Sequence, residues 1–147
     1  MADPCRQELQ SIVQSMYVEG ILDLQFAQLQ ALQDASNPSF VTDVIKLFCQ
    51  DTVKIIDELK NYLSERVVDF QGMESYIHQL KGSSSSIGAQ LVKNACNEFH
   101  QACDANYREG CIWALNKMKN EYHRLEDKFQ KIIQLEEKIF SYGVRWP

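Results

Sequence analysis

Residues 73–89 read MESYIHQLKGSSSSIGA. At about 100° per residue, Met73, Ile77, Leu80, Ser84 and Ile87 fall in one narrow arc, separated by four, three, four and three residues. That arc predicts a helix over about 70–87 with one buried face, and the serine run lies inside it. His78, Lys81, Gly82 and Ser85 fall on the other side with Glu74 nearby, which puts the imidazole outside the core. Ser84 takes the place of a large residue in the buried stripe. Its small side chain lets a neighbouring helix approach, and its hydroxyl can bond a backbone carbonyl one turn earlier.

Working outward, the same period recurs. Asp3 and Pro4 read as the cap and first residue of a helix running to about Tyr17, and Gly20 interrupts it. A second helix is expected over 21–33, and a third over about 38–64, opened by Asn37 and Pro38. The third uses Val41, Val44, Ile45, Phe48, Val53, Ile55, Ile56, Leu59 and Leu63. A fifth, over about 89–107, buries Val92, Ala95, Cys96, Phe99 and Cys103; Arg108, Glu109 and Gly110 read as a turn. The last helix carries Ile112, Leu115, Met118, Tyr122, Leu125, Phe129, Ile132, Ile133 and Ile139. Six helices and no convincing strand predict an all-α bundle, and 147 residues suit a single domain over 1–147.

Composition narrows the function. A net charge of −5 with no basic run opposes phosphate backbones, so direct nucleic-acid contact is not expected. No apolar window of membrane-spanning length and no secretory leader is found, so an intracellular chain without a membrane segment is expected. The C-terminal SYGVRWP is neither a prenylation nor a retention signal. Five cysteines without a C-x-x-C pair suit a reducing compartment, most of them as core residues.

The polar side of the 70–87 helix carries the chemistry. Gly82 lowers helix stability by about 1 kcal/mol relative to alanine, so another requirement must favour it. At four residues past His78 it clears space beside the imidazole, and Lys81, three residues past, sets an ammonium there. A phosphoryl group on the ring would bring a charge of about −2, which a lysine can pair as a point charge. The trio reads as a phosphate-accepting nucleophile with its clearance and counter-charge. No nucleotide loop of either glycine-rich type occurs. A di-metal carboxylate bundle would need Glu-x-x-His pairs, but Glu74 precedes His78 by four and Glu121 precedes His123 by two. A non-phosphorylated helical interaction module is the alternative. His100 and His123 lack the lysine and glycine at these steps and read as surface residues.

HQLKGSSSSIGAQ resembles the signature of plant histidine-containing phosphotransfer proteins, the carriers of multistep two-component phosphorelays of the cytokinin type. GILDLQFAQLQALQD, PSFVTDVIKLFCQDT, VKNACNEFHQACD and REGCIWALNKMKNEY are similar to the family in the same order, so the resemblance covers nearly the whole chain. It implies six helices, the last four an antiparallel up-down bundle. It implies that His78 takes a phosphoryl group from the receiver-domain aspartate of a hybrid sensor kinase and passes it to the aspartate of a response regulator. Lys81 then stabilises that group and Gly82 admits the receiver. The implied protein is a phosphocarrier rather than an enzyme, a monomer of cytoplasm and nucleus without a cofactor, any Mg²⁺ belonging to the receiver. Tyr76 and His100 are less typical of the family. Lys93, Asn97, His100 and Gln101 all project from the polar part of the fifth helix as possible neighbours of His78.

A receiver must touch more than the histidine. In the second helix Leu22, Phe26 and Leu29 share one face, whereas Ile21, Leu24, Gln28 and Leu32 share another. With the first face buried, the second is an apolar strip free for a partner. Ile21, Leu24, Gln25 and Gln28, with Gln79 and Ser85 beside the histidine, are therefore the expected docking surface.

Overall fold

The computed structural model describes residues 3–143. It contains α1 (Asp3–Val18), α2 (Gln25–Ala31), α3 (Phe40–Ser64), α4 (Phe70–Ile87), α5 (Gln90–Asp104) and α6 (Arg108–Gly143), and no strand among the described residues. The Asp3 side chain, expected as a cap, and residues 144–147 lie outside the described residues.

The short links between successive helices force neighbours to run antiparallel. From α3 to α6 each helix packs on the next, and α6 returns to α3, closing a four-helix ring. Cross-helix contacts confirm the direction. Arg108 at the start of α6 donates to the Leu63 carbonyl at the end of α3 (2.7 Å), while Lys46, early in α3, pairs with Glu137, late in α6 (3.4 Å). In this ring α6 lies diagonally across from α4. The first helix packs on α6 and therefore covers the side away from His78, and α2 packs on α4. The core forms where the apolar stripes of the ring converge, with Phe26 of α2 and Phe48 of α3 both against Phe129 of α6.

The bounds of α4 match the sequence stripe, because both of its ends are capped. The Asp69 carboxylate accepts from the Gly72 N–H (2.9 Å), satisfying one of the free donors at the helix start. At the other end Gly88 takes φ +84°, a left-handed conformation that only glycine adopts freely, and Gly88 and Ala89 return their N–H groups to the Ser84 carbonyl. A Cβ on Gly88 would stand 2.7 Å from the backbone nitrogen of Phe26, so α2 rests directly on this turn. The Asp23 N–H donates to the Gly88 carbonyl (2.9 Å), and Gln90 Nε2 donates to the Gly20 carbonyl (2.6 Å), tying the α1–α2 link to the α4–α5 turn.

Other bounds differ from the reading of the sequence. The second helix is only seven residues long, since residues 19–24 form turns instead of continuing its phase. The turn before α6 falls at 105–107, where Asn106 takes φ +50°, and Gly110 sits inside the helix. Asparagine tolerates this conformation, so the breaker was not the glycine. In α3 it is Thr52 that is buried, its hydroxyl bonded to the Phe48 carbonyl (2.7 Å), while Val53 faces solvent.

Candidate functional site

The capped helix α4 presents His78 at its middle, exposed and with no hydrogen bond to its ring from a described residue. An uncommitted imidazole keeps a nitrogen lone pair available. Apart from its own helix, no heavy atom lies within 4 Å of the place where a Cβ on Gly82 would stand. The protein's own packing therefore does not require a glycine there. Lys81 is half-buried and lines, with Glu74, Ile77, His78 and His100, a shallow depression of about 50 Å³. Its ammonium forms no ion pair or hydrogen bond with a described residue. Burial pushes the Cys96 thiol up to about 12, and the positive charge of Lys81 pulls it back only in part. That thiol stays protonated and is no rival nucleophile.

The serine tract is helical throughout, and two of its hydroxyls bond carbonyls of the preceding turn. Ser83 donates to Leu80 and Ser86 to Gly82, each at 3.1 Å. Ser84 is fully buried as the stripe required, and its hydroxyl, which could bond a carbonyl one turn earlier, has no partner among the described residues. Ser85 is half-buried and Gln79 exposed.

Of the four α5 residues that could have neighboured His78, only His100 lines the depression, its ring centre 6.3 Å from that of His78. Its Nδ1 lies 2.7 Å from Glu74 Oε2 and its Nε2 3.2 Å from Asp104 Oδ2. A neutral imidazole donates from one nitrogen only, so the doubly protonated ring satisfies both contacts together. These three side chains have the chemistry of metal ligands. One oxygen of each carboxylate, Glu74 Oε2 and Asp104 Oδ2, is taken up by a different nitrogen of the ring, so the imidazole bridges the two acids. Sequence reading missed Glu74 and His100 as a pair, and its one available signal was the i,i+4 spacing of His100 and Asp104.

The expected docking strip is corrected at one position. Ile21 is 2% exposed, buried within the α1–α2 turn, where its N–H donates to the Met16 carbonyl (2.9 Å). It precedes α2, so the wheel drawn through it had no helix beneath it. Leu24, Gln25 and Gln28 are exposed, Leu24 at 75%, and the opposite face, Leu22 and Phe26, is buried as expected.

Comparison with known proteins agrees with this arrangement. The Hpt domain model matches residues 43–128. The chain is 47% identical over 132 residues to histidine-containing phosphotransfer protein 1 of rice, spanning 90% of each. Two solved structures superpose closely. A rice histidine-containing phosphotransfer protein has a TM-score of 0.89 at 45% identity, with 94% of this chain and 97% of that one covered. The maize protein ZmHP2 has a TM-score of 0.88 at 47% identity, with 92% and 99% covered. With an exposed histidine on a capped helix of a closed four-helix ring, and with relatives matched along almost its whole length, this chain belongs to the family of histidine-containing phosphotransfer proteins.

Proposed function

We propose that His78 is the residue that carries the phosphoryl group in this phosphorelay carrier of the cytokinin type. The observation that carries the assignment is the exposed imidazole at mid-helix, with open space over Gly82 and the Lys81 ammonium in the same depression, both side chains without a hydrogen bond or ion pair among the described residues. The chain is a carrier and not an enzyme. The lone pair of the neutral His78 ring attacks the phosphorus of a receiver's aspartyl phosphate in line. An N–P bond forms, the acyl phosphate P–O bond breaks, and the electron pair leaves with the aspartate carboxylate. The reverse step loads the aspartate of a response regulator. Lys81 offsets the negative charge that arrives on the ring. The carrier works as a monomer of one domain over 1–147 without a cofactor of its own, and the receiver supplies Mg²⁺. Its place is the cytoplasm and nucleus; among the described residues no helix is long and apolar enough to cross a membrane.

The space over Gly82 is where the receiver enters. Gly82→Gln is expected to slow transfer from a phosphorylated receiver by about tenfold or more, while helix content stays level or rises slightly because a Cβ at this position meets nothing within 4 Å outside its own helix. Rapid-quench transfer assays with circular dichroism check this, and a wild-type rate in the variant would remove the clearance argument.

Leu24, Gln25 and Gln28, with Gln79 and Ser85, form the docking surface around the histidine. Ser85 lies seven residues from His78, roughly 10 Å along the axis, and Gly88, against which α2 begins, lies ten residues away, roughly 15 Å. A standard interface of about 800 Å² per partner has a radius of roughly 16 Å, so one receiver covers both. Leu24→Ala is expected to weaken receiver binding about three- to tenfold without loss of fold, whereas Ile21→Ala should lower stability by about 2–5 kcal/mol. Titration and urea unfolding of the two variants separate surface from core. Unchanged affinity in a folded Leu24→Ala protein would move the docking surface elsewhere.

A further inference from the structure

We propose that His100 is a positioning residue of the phosphoryl site, holding and neutralising the Glu74 carboxylate so that a dianionic group can reside on His78. The inference rests on His78 being the acceptor. Glu74 lies one helical turn before His78 on the same side of α4 and lines the same depression, so its charge faces the place where the phosphoryl group arrives. Alone it would cancel the one uncommitted cation there, Lys81. Two like charges at such range near a surface repel measurably. His100 removes the conflict from across the helix pair. It binds Glu74 Oε2 at 2.7 Å through Nδ1, and Asp104 Oδ2 holds the far edge of the ring at 3.2 Å through Nε2. The other Glu74 oxygen is buried without a partner among the described residues, so within them the carboxylate depends on this one contact for its compensation. The ring centres of His100 and His78 stand 6.3 Å apart, close enough for the charge on one to act on a group carried by the other. His100 neither donates nor accepts the phosphoryl group. It acts through Glu74.

The test is the equilibrium constant for transfer from a purified receiver domain, loaded with acetyl phosphate and Mg²⁺, to the carrier at low salt. His100→Gln is expected to lower that constant about three- to tenfold, and His100→Arg to keep it within about twofold of wild type because the cation is retained. In a Glu74→Gln background the same His100→Gln change should alter it by less than about twofold, since no carboxylate remains to be neutralised. A purely structural role for His100 would produce the same loss in both backgrounds and no rescue by arginine. Either that pattern, or a wild-type constant in folded His100→Gln, overturns the proposal. If the wild-type protein takes no label at all, the carrier assignment of His78 fails first, which is a different result from equal labelling of wild type and His100→Gln.

Discussion

His78→Gln should yield a folded protein that accepts no phosphoryl group, a loss of about a thousandfold or more and limited only by detection. The substitution acts at an exposed position whose ring makes no hydrogen bond within the described residues, so folding has nothing to lose there. Glutamine keeps polarity and approximate size but has no nucleophilic nitrogen lone pair, so the step is removed and not merely slowed. The other histidines do not substitute. The His100 ring has both nitrogens against carboxylates, and His123 lies on α6 beside Tyr122, diagonally across the ring from α4. Incubation with a labelled receiver, followed by acid and alkali treatment, checks the result: wild type carries acid-labile, alkali-stable phosphate and the variant carries none. Label at near wild-type level on His78→Gln would place the acceptor elsewhere, and absence of label from both proteins would favour a scaffold.

Phe129→Ala is expected to have the largest effect on stability, about 3–5 kcal/mol. The ring is fully buried on α6, stacked on Phe26 at 5.9 Å and edge-on to Phe48 at 6.3 Å, so it joins the long helix to both α2 and α3. Alanine leaves a void that three separate elements cannot close together without breaking other contacts. Urea unfolding should show the midpoint falling with little change in slope, and a thermal midpoint lower by roughly 10 °C. Because Phe26 is the only fully buried residue of α2, that helix should loosen before the ring opens. Amide exchange that quickens at Leu24–Leu29 ahead of α4 would show this order, and a loss below about 1 kcal/mol would mean that the cavity collapses.

The four long ring helices could be read from sequence because each stripe runs for several turns between real stops. The 70–87 helix is the best case: its arc set both the buried face and the exposed histidine, and the caps at Asp69 and Gly88 fixed its length. The errors are local. Ile21 was placed on a helix that begins four residues later, since three apolar residues in a short segment fit more than one backbone path. Arg108, Glu109 and Gly110 read as a turn in the sequence, whereas α6 begins at Arg108 and Asn106 makes the left-handed turn before it. Glu74 and His100 are twenty-six residues apart, and no periodicity within one helix reports a contact between two.

The closed face behind His78 also sets the rhythm of the relay. With α1 packed on α6, across the ring from α4, a receiver that reaches His78 comes from the α4 side. On the footprint proposed above, donor and recipient would compete for that side, and transfer would be a double displacement in which the first partner leaves before the second arrives. At an association rate constant of about 10⁶ M⁻¹ s⁻¹, departure within about 0.1 s corresponds to a dissociation constant of about 10 µM. A tighter grip on either partner would hold the carrier in place and lower its throughput.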